Sequence, residues 1–235
     1  MGRRDEVWQG SEAAPAAHCR LRAQGSAESC PNRHGFGSHH SADESLLPCC
    51  AVGVGCDQDQ CVTVFTIGHS TRTIAEFGAL LSEAEVRVVV DVRSIPRSRT
   101  NPQFNIESLP GSLAEFGVGY QHMPDLGGRR HRPRSAPASP NTFWRNESFR
   151  SFADYAGTDE FSVGLARLRD LAHRSRCAIM CSEALWWRCH RRIISDYLLS
   201  QGLEVLHIMG SRKIEPAVLT PNARRLANGT LVYPA

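Results

Sequence analysis

One alternation constrains this chain more than any other feature, and it begins at Val62. Residues 62–67 are apolar and β-branched and read as a strand. Thr73, with Glu76 three residues later, predicts a helix start, because each side chain can satisfy the other's free backbone N–H. Ile74, Phe77, Leu80 and Leu81 then share one helical face. Residues 86–92 form a Val-rich run with no polar alternation, as expected of a strand buried on both faces.

The pattern continues to the end of the chain. Asn105 is expected to cap a short helix carrying Ile106, Leu109, Leu113 and Phe116, and residues 118–122 a short strand. Residues 126–141 read as a loop. Helices are expected around Phe149, Phe152 and Tyr155, and from Phe161 to Ala172. Residues 177–181 form another buried strand, and Ile193, Ile194, Tyr197 and Leu198 mark a helix that Gly202 ends. Residues 203–209 form the next strand, and the remainder is expected to add a helix and an edge strand. Strand–helix–strand repetition implies an α/β domain of three layers, a mostly parallel sheet with helices on both faces. Such sheets bind ligands beyond the carboxyl ends of their strands. His69 and Ser70, Asp91 and Arg93, and Cys181 and Glu183 fall at three such ends.

The first 61 residues differ in kind. They are rich in Ser, Gly, Ala, His and Arg and hold no sustained apolar period. Such a segment cannot bury enough apolar surface to offset its ordering entropy. The expectation is a disordered or over-extended segment over 1–61 and a single domain over 62–235. A GTG start codon read internally as Val62 would explain the boundary. Six of the nine cysteines precede Val62, but their spacing, and that of His39 and His40, matches no paired zinc pattern. The first 61 residues carry five Arg against eight Asp or Glu, a net −3; the remainder carries 22 Lys or Arg against 16 Asp or Glu, a net +6. The domain is therefore mildly basic, and an anionic small molecule or a nucleic acid is the expected partner. No apolar stretch approaches the roughly 18 residues of a membrane span, and none follows Arg3 and Arg4 as in a secretory leader. No membrane association and a cytoplasmic location are expected, with Cys177, Cys181 and Cys189 as thiols or ligands.

The segments at the strand ends resemble the bacterial family called domain of unknown function 488. The resemblance rests on Thr66-Ile67-Gly68-His69-Ser70, on Asp91-Val92-Arg93 with Pro96 and Ser98, on Leu126-Gly127-Gly128, and on Cys181-Ser182-Glu183 followed by Cys189-His190-Arg191. It covers about residues 62–210, with Ser182 where Ala is usual. It implies a fold and a site, and neither a reaction nor a cofactor.

Within that frame Cys181, Glu183 and His69 are the candidate catalytic residues. A thiol between a strand end and a helix N-terminus can be ionised by the helix and by nearby arginines. The layout also resembles rhodaneses and cysteine phosphatases. Those place five residues between Cys and Arg, whereas six separate Cys181 from Arg188 here, and Trp186-Trp187 fill the loop. Glu183 beside two Trp is expected to have its charged form disfavoured, as suits a general acid or base. Ser70, Asp91, Arg93, Gly127, Gly128, Arg188, His190 and Arg191 are the candidate substrate-binding residues. No metal ligand is assigned. Three alternatives stay open. Cys181 can be a core residue, or His69, Cys181, Cys189 and His190 can bind a metal that stabilises the domain. The third is a non-catalytic nucleic-acid module, in which Arg129-Arg130-His131-Arg132 and Arg134 clamp phosphates while Trp144, Trp186 and Trp187 stack bases.

Overall fold

The computed structural model describes residues 62–133 and 135–235. The expectations for residues 1–61, and for Arg134, lie outside the described residues. Strand β1 (Thr63–Gly68) leads through α1 (Ile74–Glu83) to β2 (Val88–Asp91), and α2 (Leu109–Ala114) leads to β3 (Gly119–His122). Helices α3 (Glu147–Tyr155) and α4 (Asp159–Arg174) precede β4 (Cys177–Cys181). Then α5 (Arg191–Ser200), β5 (Glu204–Gly210) and β6 (Lys213–Pro216) follow, with a small hairpin of β7 (Arg224–Arg225) and β8 (Leu231–Val232). The main sheet has the order β3-β2-β4-β1-β5-β6. Every neighbouring pair is parallel except β5 with β6.

Side-chain parity along the strands builds the three layers. Val64 on β1, Val90 on β2, and Cys177, Ile179 and Cys181 on β4 face one core with α3, α4 and α5. Phe65 and Ile67, Val89, and Ala178 and Met180 face the other core with α1 and α2. Strands sandwiched this way are apolar on both faces along most of their length, which is why the Val-rich and Cys-Ala-Ile-Met runs lack alternation. The described residues thus form an α/β fold with a mostly parallel sheet covered on both faces, as the alternation predicts.

The two sets of helices create the crevice that matters. The chain leaves β1 toward one face through α1, and leaves the adjacent β4 toward the other through α5. Loops that part at neighbouring strands open a gap beyond their carboxyl ends. Main-chain pairing holds its floor together past the strands, His69 N donating to Cys181 O at 2.9 Å and Ser70 N to Ser182 O at 3.0 Å. Gly68 is required here, because a Cβ would overlap the carbonyl of Glu183, which crosses the end of β1.

Local signals hold in detail at α1, where Thr73 N donates to Glu76 Oε2 at 2.8 Å and Glu76 N to Thr73 Oγ1 at 3.2 Å. Two expectations are corrected. Asn105 does not cap a helix: its Oδ1 accepts from Ser98 N at 2.6 Å, and α2 begins at Leu109 with Pro110 in its first turn. No helix follows Pro216. Pro216, Pro221 and Gly229 break that stretch, Gly229 at φ 85°, so it closes as edge strand and hairpin. No helix among the described residues is long and apolar enough to cross a membrane.

Candidate functional site

A cavity of about 250 Å³ opens where β1, β2 and β4 end. His69 comes to it from β1, Arg93 and Ser94 from β2, and Ser182 from β4, while Gly128 and His190 close it from two loops. Arg97, Ser98 and Arg129 form its outer wall, and no Asp or Glu lines it. Of the sequence candidates, His69 and Arg93, read from the strand ends, and Gly128 and His190, named through the family resemblance, line this cavity. Sequence reading missed Ser94, Arg97, Ser98 and Ser182 as lining residues, for lack of any signal about which way the 94–98 loop folds.

One flank is a closed network. Asp91 is fully buried and Arg93 is 6% exposed. Arg93 grips the carboxylate twice, Nε to Oδ1 at 2.9 Å and Nη2 to Oδ2 at 2.6 Å, and Tyr120 donates to Oδ2 at 2.8 Å. Nη2 also donates to the Phe104 carbonyl at 2.7 Å, and Nη1 lies 3.2 Å from His69 Nε2. An arginine can only donate, so Nε2 accepts and His69 carries its proton on Nδ1, which donates to Ser70 O at 2.9 Å. Burial, assisted by the charge of Arg93, pushes the imidazole down to about 4. Phe104 stacks on its face at 4.2 Å. His69 is therefore a neutral ring with both nitrogens engaged, and Asp91 acts on the cavity only through Arg93.

The other flank joins the thiols. Cys181 and Cys189 are 8% and 4% exposed, and their sulfurs and His190 Nδ1 all lie within 4.8 Å of one another. His190 Nε2 sits 3.0 Å from the carbonyl of Val92 and donates to it. Nδ1 is thereby left facing Cys189 Sγ, 3.6 Å away. Arg191 is 1% exposed and has no carboxylate partner among the described residues. Its Nε points at Cys189 Sγ at 3.3 Å, and its Nη2 donates to Glu183 O at 2.5 Å. Burial raises the Cys189 thiol, but the Cys181 thiol donating to it and the Arg191 charge outweigh burial and favour a thiolate. Cys181 is pushed the opposite way, by its bond to Cys189 and by burial.

This arrangement differs from the sequence expectation, which put the ionised thiol at Cys181. A 3-10 turn at Trp186–Arg188 intervenes, so the thiol at the threshold of α5 is Cys189. Glu183 is not in the cavity either: its Oε1 accepts from Leu185 N at 3.2 Å. Trp186 stacks on His207 at 4.3 Å. Arg191 is an internal strut, and Arg188 is exposed and outside the strand-end cavity. Ser70 takes a left-handed turn at φ 49° and offers its carbonyl to His69. Gly127 packs under Ser94, and a Cβ at Gly128 would overlap the His190 ring.

Tertiary structure also spends the expected stacking surface. Trp144 is 6% exposed and lies between Phe149 and the Arg192 guanidinium. A larger cavity of about 670 Å³ lies away from the strand ends, along the 129–141 loop, α3 and β8. Two of its arginines are engaged, Arg132 with Asp154 at 2.9 Å and Arg130 over Tyr155 at 3.6 Å with Glu160 beside it, and the third, Arg129, also lines the strand-end cavity. Asp154 and Glu160 line the larger cavity and no carboxylate lines the smaller, which also sits at the carboxyl ends of the parallel strands, so the strand-end cavity is the candidate site.

Comparison with known proteins adds a family to this geometry. No curated protein and no solved structure gave a match. A family model described as domain of unknown function DUF488 matches residues 73–198, which takes in Asp91, Arg93, Gly127, Gly128 and the Cys181 to Arg191 segment. That match spans more than half of the 235 residues, and the chain belongs to the DUF488 family.

Proposed function

We propose that the strand-end cavity binds a small ligand bearing a phosphate or carboxylate group, and that the protein is a small enzyme built around this site. The observation that carries the reading is the lining: Arg93, Arg97 and Arg129, two histidines and three serines, with no acidic side chain among them. A ligand of opposite charge would gain charge-assisted hydrogen bonds there, from Arg129 directly and from Arg97 in exchange for its exposed pair with Glu107. Arg93 would be the fixed anchor, since Asp91, Phe104 and His69 hold its guanidinium in one orientation. Arg129, exposed and without an ion pair among the described residues, would close over the anion. Ser182 would meet it from the thiol side. In this reading the cysteines serve the site from behind His190 and are not exposed nucleophiles.

A small anion fits better than a nucleic acid. Trp144 and Trp186 are occupied by internal partners, which leaves Trp187 as the exposed tryptophan among the described residues. The test is calorimetric titration of the full chain with inorganic phosphate and pyrophosphate. Arg129→Ala with Arg97→Ala should weaken binding about tenfold or more while the melting temperature holds. Binding that ignores both substitutions would sink the reading. Tight binding of a short oligonucleotide with a steep salt slope, and none of phosphate, would transfer the site to nucleic acid.

A further inference from the structure

We infer that Cys181 Sγ, Cys189 Sγ and His190 Nδ1 form a three-ligand site for a thiophilic divalent metal ion, zinc above all, with its fourth position open toward the strand-end cavity. The three donor atoms come from two elements, the last residue of β4 and the threshold of α5, and lie within 4.8 Å of one another in the interior. A tetrahedral zinc with bonds of about 2.3 Å to sulfur and about 2.0 Å to nitrogen sets S···N edges of about 3.5 Å. The Cys189 Sγ to His190 Nδ1 separation is 3.6 Å.

The surroundings are those that metal ligands need. A ligating histidine normally donates its other ring N–H to a carbonyl or carboxylate, which fixes the tautomer that offers the lone pair. His190 does this through Nε2 to Val92 O at 3.0 Å. Arg191 Nε donates to Cys189 Sγ at 3.3 Å, an N–H···S bond that holds negative charge on that sulfur. Arg191 is itself buried without a carboxylate among the described residues, so the sulfurs are the anionic groups its charge meets. Gly128 leaves the imidazole room. His69 does not belong to the set, because Arg93 and Ser70 occupy both of its nitrogens.

Three protein ligands leave one position, the pattern of sites that activate a ligand and not of closed structural ones. His190 belongs both to the donor set and to the cavity wall. The open position would then be filled from the cavity, by water or by the oxygen of an anion. That last step rests on the anion-binding reading above; the donor set does not.

The test uses the full chain, purified without chelator or added metal. Elemental analysis should find about one zinc per chain. Cys189→Ser and His190→Ala should each lose it with the far-ultraviolet circular dichroism retained, while Cys177→Ser, four residues earlier on β4, should keep it. Should a ligand variant unfold, cobalt added to the metal-free wild-type chain supplies a second readout. A thiolate-to-cobalt charge-transfer band with intense tetrahedral visible bands is expected, and phosphate should perturb the visible bands. Spectra that form but ignore phosphate would leave the donor set standing and remove its link to the cavity. Three outcomes overturn the site: no metal taken up by the reduced chain, a Cys181–Cys189 disulfide in its place, or bound zinc that survives every ligand variant and so resides in the Cys- and His-containing N-terminal segment.

Discussion

The two flanks of the cavity are built from similar residue types and end in opposite states. On the Asp91 flank nearly every strong donor and acceptor is engaged within the protein: the carboxylate holds Arg93 and Tyr120, both nitrogens of His69 are engaged, and Arg93 keeps a single Nη1 N–H for the cavity. On the Cys181 flank the structure stops one partner short. His190 presents a lone pair, two sulfurs converge on it, and a buried arginine adds positive charge. Saturated networks fix geometry, because a satisfied buried group has little to gain from a newcomer. Unsaturated clusters take ligands. On the reading proposed above, Asp91, Tyr120 and His69 position the site and the thiol side takes the ligand.

The largest effect should come from breaking the saturated flank. Asp91→Ala leaves the Arg93 guanidinium buried without its counter-charge. Removing one partner of such a pair costs about 3–5 kcal/mol. Chemical denaturation should register that loss, and phosphate affinity should fall with it. A stable Asp91→Ala protein would mean that Arg93 reaches water and that the flank is not closed.

Acid should cost less, through a group outside both flanks. His207 is 1% exposed, its Nδ1 lies 2.7 Å from Thr66 Oγ1, and burial with the nearby Arg191 charge lowers it from 6.5 to about 4. The folded state thus refuses a proton that the unfolded chain accepts. Stability is insensitive to this group above pH about 6.5, falls as pH drops through the window toward about 4, and levels below it. The loss is on the order of 1–3 kcal/mol. Denaturant midpoints measured across that window should fall toward acid; His69, lowered to about 4 by its own burial, adds to the same slope, so His207→Phe should reduce the slope and not abolish it.

Gly128→Ala sharpens the comparison further, because its new methyl meets only the unsaturated flank. The His190 ring must move, at a cost of about 1–2 kcal/mol. Metal uptake should suffer far more than the melting temperature does, whereas an equal loss of both would say that His190 is ordinary packing. The smallest effect belongs to Arg188→Ala. The side chain is exposed and lines neither flank, so the melting temperature, phosphate affinity and metal content should all stay at wild-type values. A drop in phosphate affinity would extend the site beyond the cavity wall.

The sequence by itself determined the layers and the rim. Short β-branched apolar runs without alternation mark central strands, and the Thr73–Glu76 pair marks a helix start, because both signals are local. Once the strands are parallel, His69, Arg93 and Cys181 must emerge at one edge. Tertiary structure alone decided what each group does there. Tyr120 reaches Asp91 only through the pairing of β2 with β3, and Phe104 covers His69 from a loop 35 positions downstream. Glu183 turned to its own loop, and the ionisable thiol moved from Cys181 to Cys189 when a short 3-10 turn set the start of α5. Strand and helix follow from period and propensity, which neighbouring residues carry. Protonation, pairing and ligation follow from distances across the fold, and no spacing along the chain encodes those.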